Sequence, residues 1–334
     1  MVSIKDIAKT VGVSTSTVSF VLNGKEKEMR ISEVLSKKIK KVAKEAGYQR
    51  NQVAVSLRTG KSKIIALIVD TISGSFFSSL ARVIEQEATK YGYRIIYCST
   101  GNDVANSAEF FRMLYQYQID GYLVIPSEGI EKELRQLVAK NKPLVFIDTF
   151  FTNMNAPYVL VDNYNGVAKG IDYLAQKDYG KIAFVCNNVE MVQMQERIRG
   201  YKETLKKHKL KNGNKLICVT NFDDPKEKVV KSIAAFIKRE KPQAIMFAAN
   251  YLGVCGLESI MSLGLKIPKD IAVVCFDDLD LFNLYPPGIT SIRQPIEEIA
   301  KTAIHILMSE MGYKVKADQK QVQLEPQIIE RHSA

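Results

Sequence analysis

Histidine is scarce in this chain of 334 residues: there are three, at 208, 305 and 332. Cysteine is scarce too, and the five residues Cys98, Cys186, Cys218, Cys255 and Cys275 are odd in number and far apart. That spacing offers neither a disulfide framework nor a metal-ligand cluster. Each cysteine lies in or beside an apolar run, as buried free thiols do. Long apolar stretches are missing as well. The longest, such as 64–69, are strand-sized and exclude a membrane span. The start, M-V-S-I-K-D, lacks the apolar core of a signal peptide, so a cytoplasmic location is expected. Nucleotide-binding loops are absent. Gly60-Lys61-Ser62 has Val55 where a phosphate loop needs its first glycine, and Gly253-Val-Cys-Gly256 lacks a dinucleotide fingerprint. The carboxylates Asp277, Asp278 and Asp280 have no histidine or nucleophile near them in sequence. They read as a strand-end loop in which Asp makes turns and binds hydroxyls. No enzyme activity and no cofactor are expected.

Positive charge, in contrast, is abundant and unevenly placed. Residues 1–63 carry 14 Lys and Arg against 5 Asp and Glu, a net +9 out of +11 for the whole chain. A solvated charged surface would be spread more evenly. Cations that neutralise phosphates account better for the concentration. The same stretch reads as short helices. Ser3 caps a first helix, with Asp6 completing an approximate capping box and Ile7, Ala8 and Val11 as its apolar stripe. Gly12 supplies a break that requires positive φ. Ser14 caps a second helix, in which Val18, Val21 and Leu22 face the first and Asn23-Gly24 end the element. Thr15, Ser16, Thr17, Ser19 and Phe20 are left facing outward near an N-terminus, as on a helix entering a major groove. A third helix over 31–47 carries Leu35, Ile39, Val42 and Ala46 on one face and five lysines elsewhere. The run 48–60 is helix-compatible, yet too short and polar to persist alone. It needs DNA or another subunit to fold against.

In their order, I-K-D-I-A-K at 4–9, V-G-V-S-T-S-T-V-S at 11–19, V-L-N-G at 21–24, A-G-Y at 46–48 and N-Q-V-A-V-S-L at 51–57 resemble the DNA-binding head of the LacI/GalR family of bacterial transcription regulators. The resemblance extends over essentially the whole chain. It implies DNA contacts from Ser3, Ser14, Thr15, Ser16, Thr17, Phe20 and Asn23, and from Asn51, Ala54 and Leu57 in a hinge helix. Leu57 is expected to wedge into the minor groove beside its copy from a second subunit. Three departures stand out. Phe20 replaces a usual Arg or His, Arg50 replaces a usual Pro, and the charged loop 25–30 is about three residues longer than the family pattern.

After the linker 58–63 the pattern alternates. Strands are expected near 64–70, 93–99, 121–125 and 144–147, with helices near 76–91, 106–118 and 131–140. A crossing near 158–162 leads to a second series: helices near 166–175, 195–207, 226–238 and 252–263, with strands near 181–186, 216–220, 244–248 and 271–276. Short strands separated by such helices give right-handed βαβ units and parallel sheets. Two series give two lobes, with ligands bound beyond the carboxyl ends of the strands. The expected fold is therefore α/β: a small all-α helix-turn-helix head on a two-lobed core of parallel sheets, which the resemblance makes periplasmic-binding-protein-like. The expected domains are a head over 1–48, a hinge helix and linker over 49–63, and a core over 64–334. Lobe 1 is placed at 64–161 and 290–322, and lobe 2 at 162–289 and 323–334; the return to lobe 1 comes from the resemblance alone.

In the cleft, the resemblance implies effector contacts from Phe76, Phe77, Asp148, Arg197, Phe222, Asn250 and Asp277. Arg197 matches the arginine of the family's R-x-x-G-[FWY] pattern, here Arg197-Ile-Arg-Gly-Tyr201. Charged forks, amides and carboxylates bind vicinal hydroxyls, and aromatic faces cover apolar ring surfaces, so a sugar or related hydroxylated molecule is expected. The expected partners are double-stranded operator DNA, this effector and a second copy of the chain, with no membrane and no metal. No heptad tail follows residue 331, which favours a dimer over a coiled-coil tetramer. A repressor is expected rather than an activator. The alternatives are a regulator of this fold that answers to a partner protein, and a solute-binding protein.

Overall fold

The computed structural model describes residues 2–49, 55, 56, 59–69, 74–101, 104–127, 129–188, 191–210, 214–317 and 319–334. Two compact units result, Met1–Ser62 and Lys63–Ala334. The first is built from α1 (Ile4–Val11), α2 (Thr15–Leu22) and α3 (Glu33–Glu45). Each begins at a serine whose hydroxyl accepts a backbone N–H of the first turn: Ser3, Ser14 and Ser32. Such a cap contributes about 1 kcal/mol. Gly12 ends α1 at φ 82°, a left-handed turn that costs glycine little. Ile7, Ala8, Val11, Val18, Val21, Ile39 and Ala43 form the core. The stripe of α3 differs from the expected one. Ser36, Ile39 and Ala43 lie deepest, with Leu35 and Val42 at their flank, and Ala46 is exposed because α3 ends at Glu45 and Ala46 is its cap.

The second unit holds two six-stranded sheets. One contains β1 (Ile64–Val69), β2 (Arg94–Ser99), β3 (Gly121–Val124), β4 (Leu144–Ile147), β5 (Tyr158–Val161) and β11 (Gln321–Leu324), in the order β11-β5-β4-β3-β1-β2. All its pairings are parallel. The helices α4 (Ser75–Lys90), α5 (Val104–Gln116), α6 (Glu131–Ala139) and α12 (Ile296–Glu310) belong to this lobe. Because helices cover both faces, β3 and β4 are buried throughout.

The other sheet contains β6 (Ile182–Asn187), β7 (Ile217–Thr220), β8 (Ala244–Phe247), β9 (Ala272–Phe276), β10 (Thr290–Arg293) and β12 (Gln327–Ile329), in the order β12-β10-β9-β8-β6-β7. Only β12 runs antiparallel, against β10. Its helices are α7 (Asn163–Gln176), α8 (Val192–Lys207), α9 (Lys226–Glu240), α10 (Asn250–Ser262) and the short α11 (Asp280–Leu284). The pair Gly253 and Gly256 has a packing role at its second member: any Cβ at Gly256 would collide with the Phe247 ring, so the glycine lets α10 close onto β8. All five cysteines are free and buried. Burial pushes the Cys98 and Cys218 thiols up to about 11 and Cys186 up to about 12.

Two expected boundaries are corrected. Residues 290–293 are expected in lobe 1, yet β10 pairs parallel with β9 and buries Ile289 and Ile292 in the core of lobe 2. The return to lobe 1 comes only after Arg293, when α12 lays Ile299, Ala300, Ala303 and Ile304 on the first sheet. The expected break at 322/323 falls inside β11, which stays in lobe 1 until Leu324. A Pro-containing step at 325–326 then carries the chain back to β12.

Candidate functional site

In the head, α2 is capped by Ser14, whose hydroxyl accepts the Thr17 N–H at 3.1 Å and lies 2.8 Å from Thr17 Oγ1. Thr15 and Ser16 are exposed beyond it; Thr17, Ser19 and Phe20 are half-buried. Asn23 turns back, and its Nδ2 donates to the Ser19 carbonyl at 2.6 Å. Ser3 is exposed, and its hydroxyl donates to Asp6 Oδ2 at 2.7 Å. That bond and the Ser3 backbone N–H hold the Asp6 carboxyl below its ordinary range. The long loop 25–30 is tied to α3 by Lys40 Nζ on Glu26 Oε1 at 2.6 Å. Asn51, Ala54 and Leu57 lie outside the described residues.

In lobe 2, Arg197 on α8 is 5% exposed. Its Nε donates to Asn163 Oδ1 at 2.8 Å and its Nη1 to the Ala248 carbonyl at 2.6 Å, with the guanidinium 3.7 Å above the Phe276 ring. Gly200 makes this possible. A Cβ there would stand 2.5 Å from the Tyr164 carbonyl oxygen, so only glycine brings α8 this close to the start of α7. Asp277 follows β9 at φ 69° and is 9% exposed. Its Oδ1 accepts from Gln294 Nε2 at 2.5 Å. Among the described residues neither Arg197 nor Asp277 forms an ion pair. Each buried charge is held by neutral groups instead.

Around them, Asn187 at the end of β6 donates through Nδ2 to the Tyr251 hydroxyl. Phe222 packs edge-on to Tyr251 at 6.0 Å and is 37% exposed. Asn250, first residue of α10, accepts the Tyr251 N–H and reaches Ser75 Oγ in lobe 1 at 3.4 Å, a contact across the cleft. From lobe 1, Asp148 follows β4 at φ 68° and its N–H donates to the Val159 carbonyl. Phe76 and Phe77 are half-buried, edge-on at 5.3 Å, and packed against the core of lobe 1.

Sequence reasoning misses Asn163, Asn187, Tyr251, Gln294 and Ser75. Asn187 is within its reach, since the rule that selects Asn250 and Asp277 as polar residues at strand ends also selects the last residue of β6. Asn163 is hidden by a helix start expected at 166. In fact Asp162 caps α7, accepting the Asn165 N–H at 2.9 Å, and so puts Asn163 in the first turn.

Comparison with known proteins gives the family of the chain. Residues 3–51 match the model of bacterial regulatory proteins of the lacI family, and residues 171–334 match a periplasmic binding protein-like domain. The HTH-type transcriptional repressor PurR of Vibrio vulnificus is 31% identical over 335 residues, covering 99% of this chain and 98% of that protein. This chain belongs to the lacI family. PurR of Vibrio atlanticus is 30% identical with the same coverage. Among solved structures, the lac repressor dimer bound to operator and the anti-inducer ONPF superposes with a TM-score of 0.86 at 19% identity, over 99% of this chain and 98% of that one. The CelR–cellobiose complex gives 0.73 at 21%, over the full length of both. At these identities the likeness is one of fold. As a lacI-family member, the protein is a DNA-binding transcriptional regulator with an effector-binding core. Among its described residues no helix is long and apolar enough to cross a membrane.

Proposed function

We propose that this lacI-family protein is a dimeric repressor whose grip on operator DNA is set by a small hydroxylated molecule bound between the lobes. The observation that carries the effector half is the pair Arg197 and Asp277: opposite charges, both buried, neither ion-paired among the described residues. A buried charge without a counter-charge is costly, and a fold keeps two of them where a ligand completes their bonding. Asp148, Asn250 and Asn187 add hydroxyl-binding groups, and Phe222 and Tyr251 an aromatic wall. The cellobiose carried by CelR fits the same class of ligand. In the head, α2 enters the major groove with Thr15, Ser16, Thr17 and Phe20 toward the bases. Phe20 reads by apolar contact with a thymine methyl in place of bidentate hydrogen bonds. Ser3, Ser14 and Asn23 position the helix, and Asn51, Ala54 and Leu57 follow the minor groove. Two copies read a pseudo-palindrome.

The test begins with sugars and nucleosides screened for a rise in melting temperature, since a ligand selective for the native state stabilises it. With a hit in hand, Arg197→Ala and Asp277→Ala weaken its binding by about 2–5 kcal/mol in calorimetry while leaving effector-free operator affinity near wild type. Normal effector binding in either variant removes that residue from the site.

A further inference from the structure

The chain passes between the lobes three times: from β5 to α7, from β10 to α12, and from β11 to β12. Two of these crossings carry a buried side-chain amide, and each amide holds one of the two cleft charges. Asn163 is 5% exposed. Its Nδ2 donates to the carbonyl of Val161, the last residue of β5 in lobe 1, at 3.0 Å, and its Oδ1 accepts from Arg197 in lobe 2. One side chain thus bridges the last strand residue of one lobe and the cleft arginine of the other. Gln294, also 5% exposed, stands between β10 and Pro295 and donates to Asp277. The Asp277 N–H donates in turn to the Ile292 carbonyl at 2.9 Å, a continuation of the β9–β10 ladder that holds its backbone to the strand leading into this crossing. Gln294 Oε1 is buried with no donor among the described residues, which leaves this crossing a bond to gain when it moves. The third crossing is built differently. Lys169 Nζ, half-buried, bonds the exposed Glu325 Oε1 at 2.7 Å and the carbonyl of buried Pro326 at 2.9 Å, an arrangement that includes neither Arg197 nor Asp277.

We propose that Asn163 and Gln294 are positioning residues that couple Arg197 and Asp277 to the first two crossings, leaving the third as a passive pivot. The proposal rests on the cleft being the effector site. A ligand that takes over a hydrogen bond of Arg197 or Asp277 then either releases the amide beneath it or tightens its hold. The crossing backbone changes in both cases, because a buried amide left without its partner must find another. Effector occupancy is read at the hinge itself, with no relay through the lobe cores.

The test uses the full-length protein without DNA or effector, followed by hydrogen exchange and mass spectrometry. In Arg197→Ala, exchange over 161–166 quickens by about tenfold, while 290–296 and 323–328 stay within about twofold of wild type. In Asp277→Ala the response moves to 290–296. Asn163→Leu reproduces the first pattern and Gln294→Met the second; both remove the amide and keep bulk, so they carry the comparison if an alanine variant does not fold. Equal quickening at all three crossings, as a plain loss of stability gives, overturns the proposal, and so does unchanged exchange at the first two. No effector enters the measurement, so a failed ligand screen and a failed coupling are separate results.

Discussion

Asp277 and Asp278 are neighbours with opposite duties. Among the described residues Asp277 bonds to amides alone, through its side chain to Gln294 and through its backbone to Ile292. Asp278 is a clamp: its Oδ1 accepts from Arg331 Nη1 at 2.7 Å and Ser291 Oγ at 2.6 Å, and its Oδ2 takes both Arg331 Nη2 and Arg293. Arg331 also donates to the Ile289 carbonyl, so the chain end is pinned to β10 through one carboxylate. Burial alone would raise the Asp278 pKa, but the bonds from Arg331, Ser291 and Arg293 together outweigh it and hold the carboxyl below its ordinary value. A carboxyl depressed in the folded state stabilises above its unfolded pKa, about 3.9, and that stability is lost as pH falls through the lower folded value. Asp278→Asn is therefore expected to cost about 3 kcal/mol at neutral pH, since it leaves Arg331 without a counter-charge. It should also flatten the fall in stability below about pH 4. Urea melts of both proteins from neutral pH to about pH 3 check this; parallel curves would mean that the clamp carries no acid sensitivity.

A helix can be positioned by the residue it lacks. Gly200 lets α8 approach the Tyr164 carbonyl, and that approach carries Arg197 to Asn163. Gly200→Ala is expected to lose about 1–3 kcal/mol through overpacking and to weaken effector binding without touching the ligand. A denaturant melt measures the first effect and calorimetry the second; wild-type effector affinity would separate the helix approach from the site. The sequence makes this element legible only in part. The R-x-x-G-[FWY] pattern points to Arg197, but its glycine explains itself only against Tyr164, which is remote in sequence. Parallel strands and their helices are legible because burial on both faces leaves short continuous apolar runs. The serine-capped helices of the head are legible because capping is local. The side of the cleft to which 290–293 and 321–324 belong is not, because an apolar strand reads the same in either sheet. Gln294 goes unread for the same reason, since its partner Asp277 lies on another strand and its crossing is expected before β10 instead of after it.

Across the whole molecule, charge separates two kinds of binding. The first 63 residues hold +9 of the net +11, and the lysines of α3 at 37, 38, 40, 41 and 44 are all exposed. Three of these five lie within 4 Å of a glutamate, Lys37 with Glu33, Lys40 with Glu26 and Lys41 with Glu45, and such exposed pairs hold their cations weakly. Phosphates can therefore claim them. Arg197 and Asp277 are the reverse case, 5% and 9% exposed, where dissolved salt screens little. The two binding events of one protein should then differ in their response to salt, one steep and one nearly flat. Operator affinity, with about 6–10 phosphates neutralised per dimer, is expected to fall by about 10³–10⁵ between roughly 50 and 200 mM salt. Effector affinity should change by less than about tenfold over the same range, because its charges are buried and paired only on binding. Lys38→Ala and Lys44→Ala should each lower the slope of log affinity against log salt by about 1 for every phosphate left without its cation, and weaken all DNA sequences alike. Fluorescence anisotropy with an operator duplex and with a scrambled one gives both slopes. A salt-independent operator affinity would remove the phosphate role from the basic head. A salt-sensitive effector affinity would mean that Arg197 and Asp277 meet the ligand in open water, contrary to their burial.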